Sequence, residues 1–375
     1  MGPDAPGIRG RYAHTGFGEA TVVGDEEARV GQRRAVSMAD VARLANVSAQ
    51  TVSRVSNGES SVVESTRLSV LRAMEELGYR PNSAARALKR GEFRAIGVMT
   101  FTLSTTGNVR TLEGIVAAAA VQDYAVTLIP VGAPSQDAVR GAFTRAGELA
   151  VDAVVAIMET HLASDAPAPY PPGFKVVVAD SDDAGDRHPV VDTDQAAGAV
   201  SATQHLLDLG HRTVWHVTGP ESSYAAQRRR DAWQAQLVAR GVEVPPVQHG
   251  DWTPRSGYEI GLRLAEEPSC TAVFAANDQM ALGLLRAFHD SGLRVPEDVS
   301  VVGFDDVPEA ESYIPPLTTV RQDFEQIGRL CVEQVLGQVR GTGPTTGTTL
   351  VPTQLVVRSS TAAPGRTGAR RPRRA

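Results

Sequence analysis

Two side chains near the N-terminus, Gln50 and Arg54, carry hydrogen-bonding groups that distinguish base pairs in duplex DNA. A glutamine amide can form two hydrogen bonds to adenine, and an arginine guanidinium can form two to guanine. Because the residues are four positions apart, a helix places them on one side. Val52 and Val55 then face the opposite side, where they can be buried. The outward positions of this segment are Ala49, Gln50, Ser53 and Arg54.

The segment SMADVARLANVSAQTVSRVSN predicts two short helices that would position these side chains. Ser37 is expected to cap the first helix, with Asp40 as the acidic half of a capping box. The first helix would bury Val41, Leu44 and Ala45. Ser48 is expected to cap a second helix from Ala49 to Ser56. Two helices across a tight turn indicate a DNA-binding helix-turn-helix, and an unrelated small helical bundle is the alternative.

A third helix and a basic segment follow. A helix over 64–77 is predicted, ended by Gly78, and its inward positions would be Leu68, Leu71, Met74 and Leu77. After Pro81, Asn82 would cap the run SAARALKRG, which is too short to be a stable helix alone. Such a helix could fold on DNA and insert Leu88 between base steps in the minor groove. An ordinary linker helix is the alternative.

Charge divides the chain into a basic and an acidic part. Residues 31–94 contain eleven Lys and Arg and six Asp and Glu, a net charge of +5, whereas the whole chain carries −6. The remainder therefore carries −11. A basic module on an acidic body is typical of a phosphate-binding domain attached to a soluble one.

Composition predicts a multi-domain soluble protein of the cytoplasm. Cys270 and Cys331 give neither a disulfide framework nor a metal-binding spacing. No apolar run approaches the roughly 20 residues that cross a bilayer, and residues 1–35 lack the apolar block of a secretory signal. Residues 1–35 and the basic tail 359–375 are predicted to be disordered.

From Arg94 onward, apolar runs alternate with helical stretches. This pattern predicts an α/β fold with parallel strands and right-handed crossovers. Seven strands are more than one sheet of this type holds comfortably, which favours two similar lobes with a cleft between them. The predicted strands are 95–99, 125–131, 153–158, 175–180, 213–219, 271–278 and 299–306.

Polar side chains cluster where these strands end. Ligands of open α/β sheets bind beyond the carboxyl ends of the strands. Carboxylates and amides around an aromatic ring suit a polyhydroxylated ligand, whose hydroxyls form hydrogen bonds while its apolar face stacks on the ring. A helix cap or loop role is the alternative for each residue, and Asp194 and Asp278 are expected caps. The set is Asp180, Ser223, Arg229, Trp252, Asn277, Asp278, Asp305 and Asp306.

No catalytic constellation is recognisable. The sequence contains no GxSxG, HExxH or P-loop motif, and no GxGxxG after a strand. The eight histidines are scattered, with His216 inside a predicted strand, and structural roles are expected for them. The prediction is therefore a binding protein without a cofactor or metal rather than an enzyme.

The chain from about 36 to 358 resembles the LacI (lactose-repressor) family of transcriptional regulators. The motifs DVARLANVSAQTVSRVSN, YRPNSAARAL, ANDQMALG, SVVGFDD and YIPPLTTVRQDF stand in the family's order and spacing. The resemblance implies a three-helix headpiece, a hinge helix and a two-lobed periplasmic-binding-protein-like core with parallel sheets. The implied domains are a headpiece over 36–81, a hinge helix over 82–92 and a core over 93–358, with lobes of roughly 93–192 plus 322–352 and 193–321.

The resemblance also implies roles for individual residues. Base-reading positions match Ala49, Gln50 and Arg54. Positions that contact the DNA backbone or steady the headpiece match Ser37, Ser48, Thr51, Ser53, Asn57 and Tyr79. The hinge that docks on the operator matches Asn82, Ala85 and Leu88. Effector-contacting positions match Asp180, Ser223, Arg229, Trp252, Asn277, Asp305, Gln322 and Phe324.

The implied partners are operator double-stranded DNA, a small carbohydrate effector and a second copy of the chain. Similarity around Trp252 to the lactose-responsive branch of the family favours a galactoside, although Ala225 replaces a hydroxyl near the pocket. No leucine-heptad segment follows Arg358, so a homodimer is expected rather than a tetramer. A sugar-binding protein without a regulatory role, exported or cytosolic, and a family member that senses another ligand are the alternatives. The segment 102–109, which would line the other lobe, shows no clear match.

Overall fold

A computed structural model of the protein describes residues 36–80, 91–160, 162, 170–171, 173–181 and 185–365. The chain divides into two compact units, Met1–Asn82 and Ser83–Ala375, which are considered separately. The predicted disordered N-terminus and the predicted hinge residues Asn82, Ala85 and Leu88 lie outside the described residues. Within the described part of the chain, no helix is long and apolar enough to cross a membrane.

The described part of the first unit consists of α1 (Met38–Leu44), α2 (Ala49–Ser56) and α3 (Glu64–Leu77). Ser37 and Asp40 form the predicted capping box, and the Ser48 side chain accepts a hydrogen bond at the start of α2. Gly78 ends α3 with φ of 62°, as a left-handed cap requires. The sequence therefore predicted both helix starts of the helix-turn-helix and the end of α3.

The buried face of α3 differs from the prediction. Leu68 and Leu71 are exposed, whereas Val70, Ala73 and Met74 are buried. The predicted inward positions Met74 and Leu77 are confirmed, but Val70 and Ala73 are buried in place of Leu68 and Leu71. Leu44 of α1 is likewise exposed. Val63 precedes α3 without a side-chain capping hydrogen bond.

The second unit contains two lobes. The first begins with β1 (Ala95–Thr100), α4 (Thr106–Val121), β2 (Ala125–Pro130), α5 (Gln136–Glu148), β3 (Ala153–Ile157), β4 (Val176–Ala179) and β5 (Val190–Thr193). The second contains α6 (Gln195–Asp208), β6 (Trp215–Thr218), α7 (Tyr224–Ala239), β7 (Gln248–His249), α8 (Pro254–Glu266), β8 (Ala272–Ala275), α9 (Asp278–Asp290), β9 (Ser300–Asp305), a 3₁₀ turn (Pro308–Ser312) and β10 (Thr318–Arg321). The chain then returns to the first lobe as α10 (Phe324–Val339) and β11 (Thr348–Val351), and ends in the second as β12 (Gln354–Val356).

Each lobe is built on a six-stranded sheet. The first has the order β11-β5-β4-β3-β1-β2 and is parallel throughout. The second has the order β12-β10-β9-β8-β6-β7, with only β12 antiparallel to its neighbour. Three connections join the lobes, after β5, β10 and β11. The predicted α/β class and two-lobed core are confirmed.

Five strands were missed by the sequence analysis: β5, β7, β10, β11 and β12. They are two to four residues long, and four of them begin with threonine or glutamine. Such segments lack the apolar run that marks a buried strand. All seven predicted strands are present, but the predicted number is too low, because sheet pairing adds short segments that have little apolar pattern of their own.

Helices α4 and α10 of the first lobe cross at Gly114 and Gly328. A β-carbon at either position would overlap the backbone of the other helix. The contact brings the start of α10, which leads directly from the second lobe, against the helix that forms one wall of the cleft.

The prediction that a disordered tail begins at residue 359 is wrong for residues 359–365. Ser360 is fully buried, and its hydroxyl donates to the Val301 carbonyl at 2.6 Å. The Val301 amide in turn donates to the Ser360 carbonyl at 2.9 Å. The segment is held by hydroxyl and backbone hydrogen bonds rather than by apolar side chains, so hydrophobic patterning could not reveal it. Residues 366–375 lie outside the described part of the chain.

Candidate functional site

A cleft with polar and apolar lining residues lies between the two lobes. All eight residues predicted to contact an effector line it: Asp180, Ser223, Arg229, Trp252, Asn277, Asp305, Gln322 and Phe324. The fold therefore brings together residues that lie as far apart in the sequence as Asp180 and Phe324.

Arg229 occupies the centre of the second-lobe wall. It lies on α7, is 4% exposed, and donates from Nε to Gln195 Oε1 at 2.8 Å. Its NH1 group donates to the Ala276 carbonyl and lies 3.6 Å from Asp305 Oδ1. The guanidinium carbon is 3.7 Å from the centroid of the Phe304 ring. These contacts hold the cation in a fixed orientation and compensate for its desolvation.

Asp305 ends β9 beside Arg229. Burial raises the pKa of this carboxyl to about 6, and the Arg229 charge and the Gln322 hydrogen bond oppose that rise. Gln322 Nε2 donates to Asp305 Oδ1 at 2.7 Å. Gln322 lies on the connection that leads from β10 to Phe324 and α10. The Asp305 side chain is thus tied both to the cation and to a connection between the lobes.

Trp252 and Asn277 form the aromatic side of the cleft. Asn277 Oδ1 accepts from the Met280 amide at 2.9 Å, which makes Asn277 the cap of α9, and its Nδ2 donates to the Trp252 carbonyl at 3.0 Å. Ser223 caps α7 in the same way. The sequence analysis treated a helix cap and a ligand contact as alternatives for these residues. Asn277 and Ser223 are helix caps that also line the cleft.

Three cleft residues have left-handed backbone conformations: Asp180 (φ 51°), Trp252 (φ 72°) and Asp305 (φ 116°). Such conformations are uncommon for residues other than glycine, and they concentrate at functional sites.

Asp278 was predicted to cap a helix, and this prediction is wrong. Asn277 is the cap, while the Asp278 side chain accepts from the Val307 amide at 2.9 Å and the Thr319 hydroxyl at 2.5 Å. Burial, followed by the nearby Asp305 charge, raises its pKa well above the usual value. Asp278 therefore supports the strand ends from behind the cleft. Asp306 does not line the cleft. Its carboxylate forms ion pairs with Arg321 at 2.6 Å and with Arg358 at 2.7 Å. Asp194 caps α6 as predicted.

The first-lobe wall is acidic. Burial and the neighbouring Asp180 charge raise the pKa of Asp192 to about 7, while Arg228 opposes the shift. Arg228 pairs with Asp192 and also donates to the Ser181 carbonyl at 2.6 Å. Burial also raises the pKa of Asp180, against the charges of Arg229 and Arg228.

The segment 102–109 was expected to line the first-lobe side without roles for single residues, and Thr105, Thr106, Gly107 and Asn108 line the cleft. The sequence analysis missed Thr111, Glu159, Asp192 and Gln195. Asn108 lies in the first turn of α4 and donates to Glu159 Oε1 at 2.8 Å. The segment that leads into α4 is irregular and carries no periodic pattern, so its approach to Glu159 could not be read from the sequence. The signal available for Glu159 was its position as the polar residue directly after the predicted strand 153–158.

Hydrogen bonds join the lobes across the cleft. Gln279 Nε2 of the second lobe donates to Thr106 Oγ1 of the first at 2.6 Å. Thr160 Oγ1 donates to the Ser222 carbonyl at 3.1 Å, and the Tyr224 amide donates to the Glu159 carbonyl at 3.3 Å. The two lobes are therefore joined by hydrogen bonds as well as by the chain connections.

In the first unit, α2 exposes the three predicted base-reading residues, Ala49, Gln50 and Arg54. Arg54 Nε lies 3.7 Å from Glu59 Oε2, and both side chains are about half exposed. The predicted backbone-contacting residues surround this face or support it. Ser37, Thr51, Ser53, Asn57 and Tyr79 are half-buried, and Ser48 is exposed.

Comparison with known proteins agrees with this division of the chain. The model for bacterial regulatory proteins of the lacI family matches residues 37–82, and a periplasmic binding protein-like domain matches residues 203–361. The lactose operon repressor of Escherichia coli (strain K12) is 34% identical over 338 residues, which cover 88% of this chain and 91% of that protein. The chain belongs to the LacI family.

Other LacI-family members match at similar levels. The regulator CelR of Thermobifida fusca is 33% identical over 88% of this chain and 99% of its own length. Among solved structures, the lac repressor dimer bound to operator and the anti-inducer ONPF has a TM-score of 0.77 at 32% identity, covering 88% of this chain and 100% of that one. The CelR–cellobiose complex has a TM-score of 0.64 at 30% identity, covering 87% and 99%. These LacI-family relatives are transcriptional regulators, not enzymes.

Proposed function

We propose that this LacI-family protein is a dimeric repressor that binds operator DNA and responds to a small carbohydrate. The observation that carries the proposal is that one chain combines an exposed α2 bearing Gln50 and Arg54 with a polar cleft centred on Arg229 and Trp252. The first is suited to base edges and the second to a small polyhydroxylated molecule.

Within the headpiece, Ala49, Gln50 and Arg54 read base edges in the major groove. The polar groups around them contact phosphates and so fix the register of α2 without reading sequence. These are Ser37, Ser48, Thr51, Ser53, Asn57 and Tyr79. Asn82, Ala85 and Leu88 form the hinge contact with the operator centre, with Leu88 inserted in the minor groove.

In the cleft, Asp305 and Arg229 bind hydroxyls while the Trp252 ring stacks on the apolar face of a sugar. Asp180, Asn277, Ser223, Gln322 and Phe324 complete the contact set. A galactoside is the first candidate, supported by the similarity to the lactose operon repressor. The relative CelR, solved with cellobiose, is about equally similar, so a β-glucoside is the second candidate.

Coupling requires that effector and operator favour different arrangements of the dimer. An effector shifts such an equilibrium only by its difference in affinity for the two states, and about 1–3 kcal/mol gives roughly 5- to 150-fold release. A homodimer places two copies of α2 on the half-sites of a pseudo-palindromic operator. This role places the protein in the cytoplasm with the DNA.

A gel-shift assay with the gene's own upstream DNA, with and without candidate sugars, tests the proposal. Specific binding that galactosides or β-glucosides change supports it. A sugar-binding protein without a regulatory role would bind a sugar yet leave all duplexes unshifted, even at low ionic strength. A regulator for another ligand would shift the DNA and ignore both sugar classes.

A further inference from the structure

The first-lobe wall of the cleft contains a carboxylate oxygen that lacks a donor. Glu159 Oε1 accepts from Asn108 Nδ2, but Oε2 is shielded from solvent without a hydrogen-bond partner in the described part of the chain. Asp180 Oδ1, in the same wall, is in the same situation. A buried acceptor without a donor is destabilising, and native proteins usually retain one for a reason.

Asn108 holds Glu159 in place but has little further donor capacity. Its Nδ2 group also donates to the Thr102 carbonyl at 2.9 Å and reaches Thr100 Oγ1 at 3.4 Å. The amide is 3% exposed and therefore fixed in this network. Burial raises the pKa of Glu159 to about 7, and the Asp180 charge adds to the rise. A donor supplied from the cleft would stabilise the ionised form of Glu159.

The charges around the cleft are unbalanced. Among the described lining residues, the carboxylates are Glu159, Asp180, Asp192 and Asp305, whereas Arg229 is the one guanidinium. Arg229 is already directed at Asp305, Gln195 and Ala276, and Arg228 pairs with Asp192 from outside the lining. An anionic group near Glu159 would find no cation there without a partner among the described lining residues, and it would raise the pKa of these carboxyls further, so it would bind less favourably than a neutral hydroxyl.

We propose that Glu159 is a specificity-determining residue of the cleft: its free oxygen accepts a hydrogen bond from a sugar hydroxyl, and its charge excludes acidic sugars. The effector is therefore a neutral saccharide rather than a uronate, an aldonate or a sugar phosphate. This inference rests on the proposed function, because it assigns a ligand class to the same cleft.

The test uses calorimetric titration of the full-length protein with neutral sugars and matched acids. The pairs are galactose with galacturonate, lactose with lactobionate, and cellobiose with cellobionate. Variants are Glu159→Gln, which keeps one acceptor oxygen and removes the charge, and Glu159→Ala. The control is Glu113→Gln, which removes an exposed carboxylate on α4 that pairs with Arg110. The thermal midpoint without sugar shows whether each variant is folded.

The expected result is that Glu159→Ala binds the neutral sugar about 10- to 100-fold more weakly, because a hydrogen bond to a charged group is lost. Glu159→Gln should lie between Glu159→Ala and the unmodified protein, and should gain affinity for the matched acid. A purely structural role would give no such gain. Glu113→Gln should change neither affinity. If Glu159→Ala does not fold, the near-isosteric Glu159→Gln still provides both measurements.

Two results would overturn the inference and leave the proposed function standing. One is a folded Glu159→Ala that binds the neutral sugar as tightly as the unmodified protein. The other is an unmodified protein that binds a neutral sugar and its acid equally well. If the protein binds its operator but none of the neutral sugars at millimolar concentration, the carbohydrate assignment itself fails, and the role of Glu159 fails with it.

Discussion

Gly219 lies against the indole ring of Trp252 so closely that a β-carbon at position 219 would overlap the ring. Gly219 directly follows β6, and Trp252 belongs to the turn before α8. The end of a central strand thus sets the position of the aromatic side of the cleft. The absence of a side chain at position 219 is what allows the ring to lie there.

Gly219→Ala is therefore expected to displace the Trp252 ring and weaken effector binding by at least about tenfold, corresponding to about 1.4 kcal/mol. Operator affinity without effector should remain. Effector titration and gel shift of the same sample measure the two properties. Gly132→Ala is the control, because a β-carbon there meets nothing within 4 Å. Unchanged induction in Gly219→Ala would remove Trp252 from the ligand site.

Arg54→Ala is expected to relax the base preference of the headpiece. The ion pair of Arg54 with Glu59 is half exposed and contributes at most about 1 kcal/mol, so the guanidinium is available to guanine. Losing that contact should cost about 1–3 kcal/mol at one operator position. Affinities for operator variants at fixed salt provide the measurement. Arg67→Ala on α3 should weaken all variants equally or not at all, and an unchanged base preference in Arg54→Ala would reject its assignment.

Gln279→Ala is expected to speed effector release. It removes the hydrogen bond to Thr106 that joins the lobes. Such a bond contributes about 0.5–1.5 kcal/mol, so affinity should fall about 2- to 10-fold. Stopped-flow dissociation of a bound sugar measures the rate. Gln204→Ala is a matched control, since Gln204 bonds to Asp208 and Gln236 within the second lobe. Equal dissociation rates would show that this bond does not stabilise the closed cleft.

His216 is expected to make the core lose stability in acid. Its Nδ1 lies 2.9 Å from the Phe274 carbonyl, and its ring is stacked between Trp233 and Phe274. Burial lowers its pKa to about 3. The unfolded chain binds a proton below about pH 6.5 and the folded chain does not, so stability falls as pH decreases from 6.5 towards 3. The loss is about 1.4 kcal/mol per pH unit.

Denaturant unfolding of the full chain between pH 4.5 and 7.5 measures this dependence. His216→Phe keeps an aromatic ring and cannot titrate, so its free energy of unfolding should vary less with pH. Asp192 and Asp305 have raised pKa values and act in the opposite direction, but they are common to both proteins and cancel in the comparison. His289→Gln, at an exposed position, should behave as the unmodified protein. Parallel curves for His216→Phe would contradict the prediction.

The sequence predicted features whose signal is local. Ser37, Ser48 and Gly78 act within one helical turn, so their caps could be read directly from residue type and spacing. Long apolar runs such as 153–157 form strands because burial on both faces requires continuous hydrophobicity. The resemblance to the LacI family then assigned residues that are distant in sequence, such as Asp180 and Gln322, to one effector site, and both line the cleft.

Features decided by distant parts of the chain were not predictable. Asp278 has the residue type of a cap, yet Val307 and Thr319 supply its partners from other elements. Glu159 acquires its role from Asn108, 51 positions earlier in an irregular segment. Ser360 is buried through hydroxyl bonds that leave no hydrophobic pattern. In each case the hydrogen-bond partner that determines the role of the residue is distant in sequence. The sequence alone does not show which residue that partner is.

The return of the chain to the first lobe has a consequence for biosynthesis. Helix α10, which packs on β3 and β4, and the edge strand β11 are translated only after β6 to β10 of the second lobe. At about 5–20 residues per second, the ribosome needs about 10–30 s to extend the nascent chain from Thr193 to Val351. During that interval α4 covers β1 and β2 on this face of the sheet, while β3 and β4 lack the helix that later buries them.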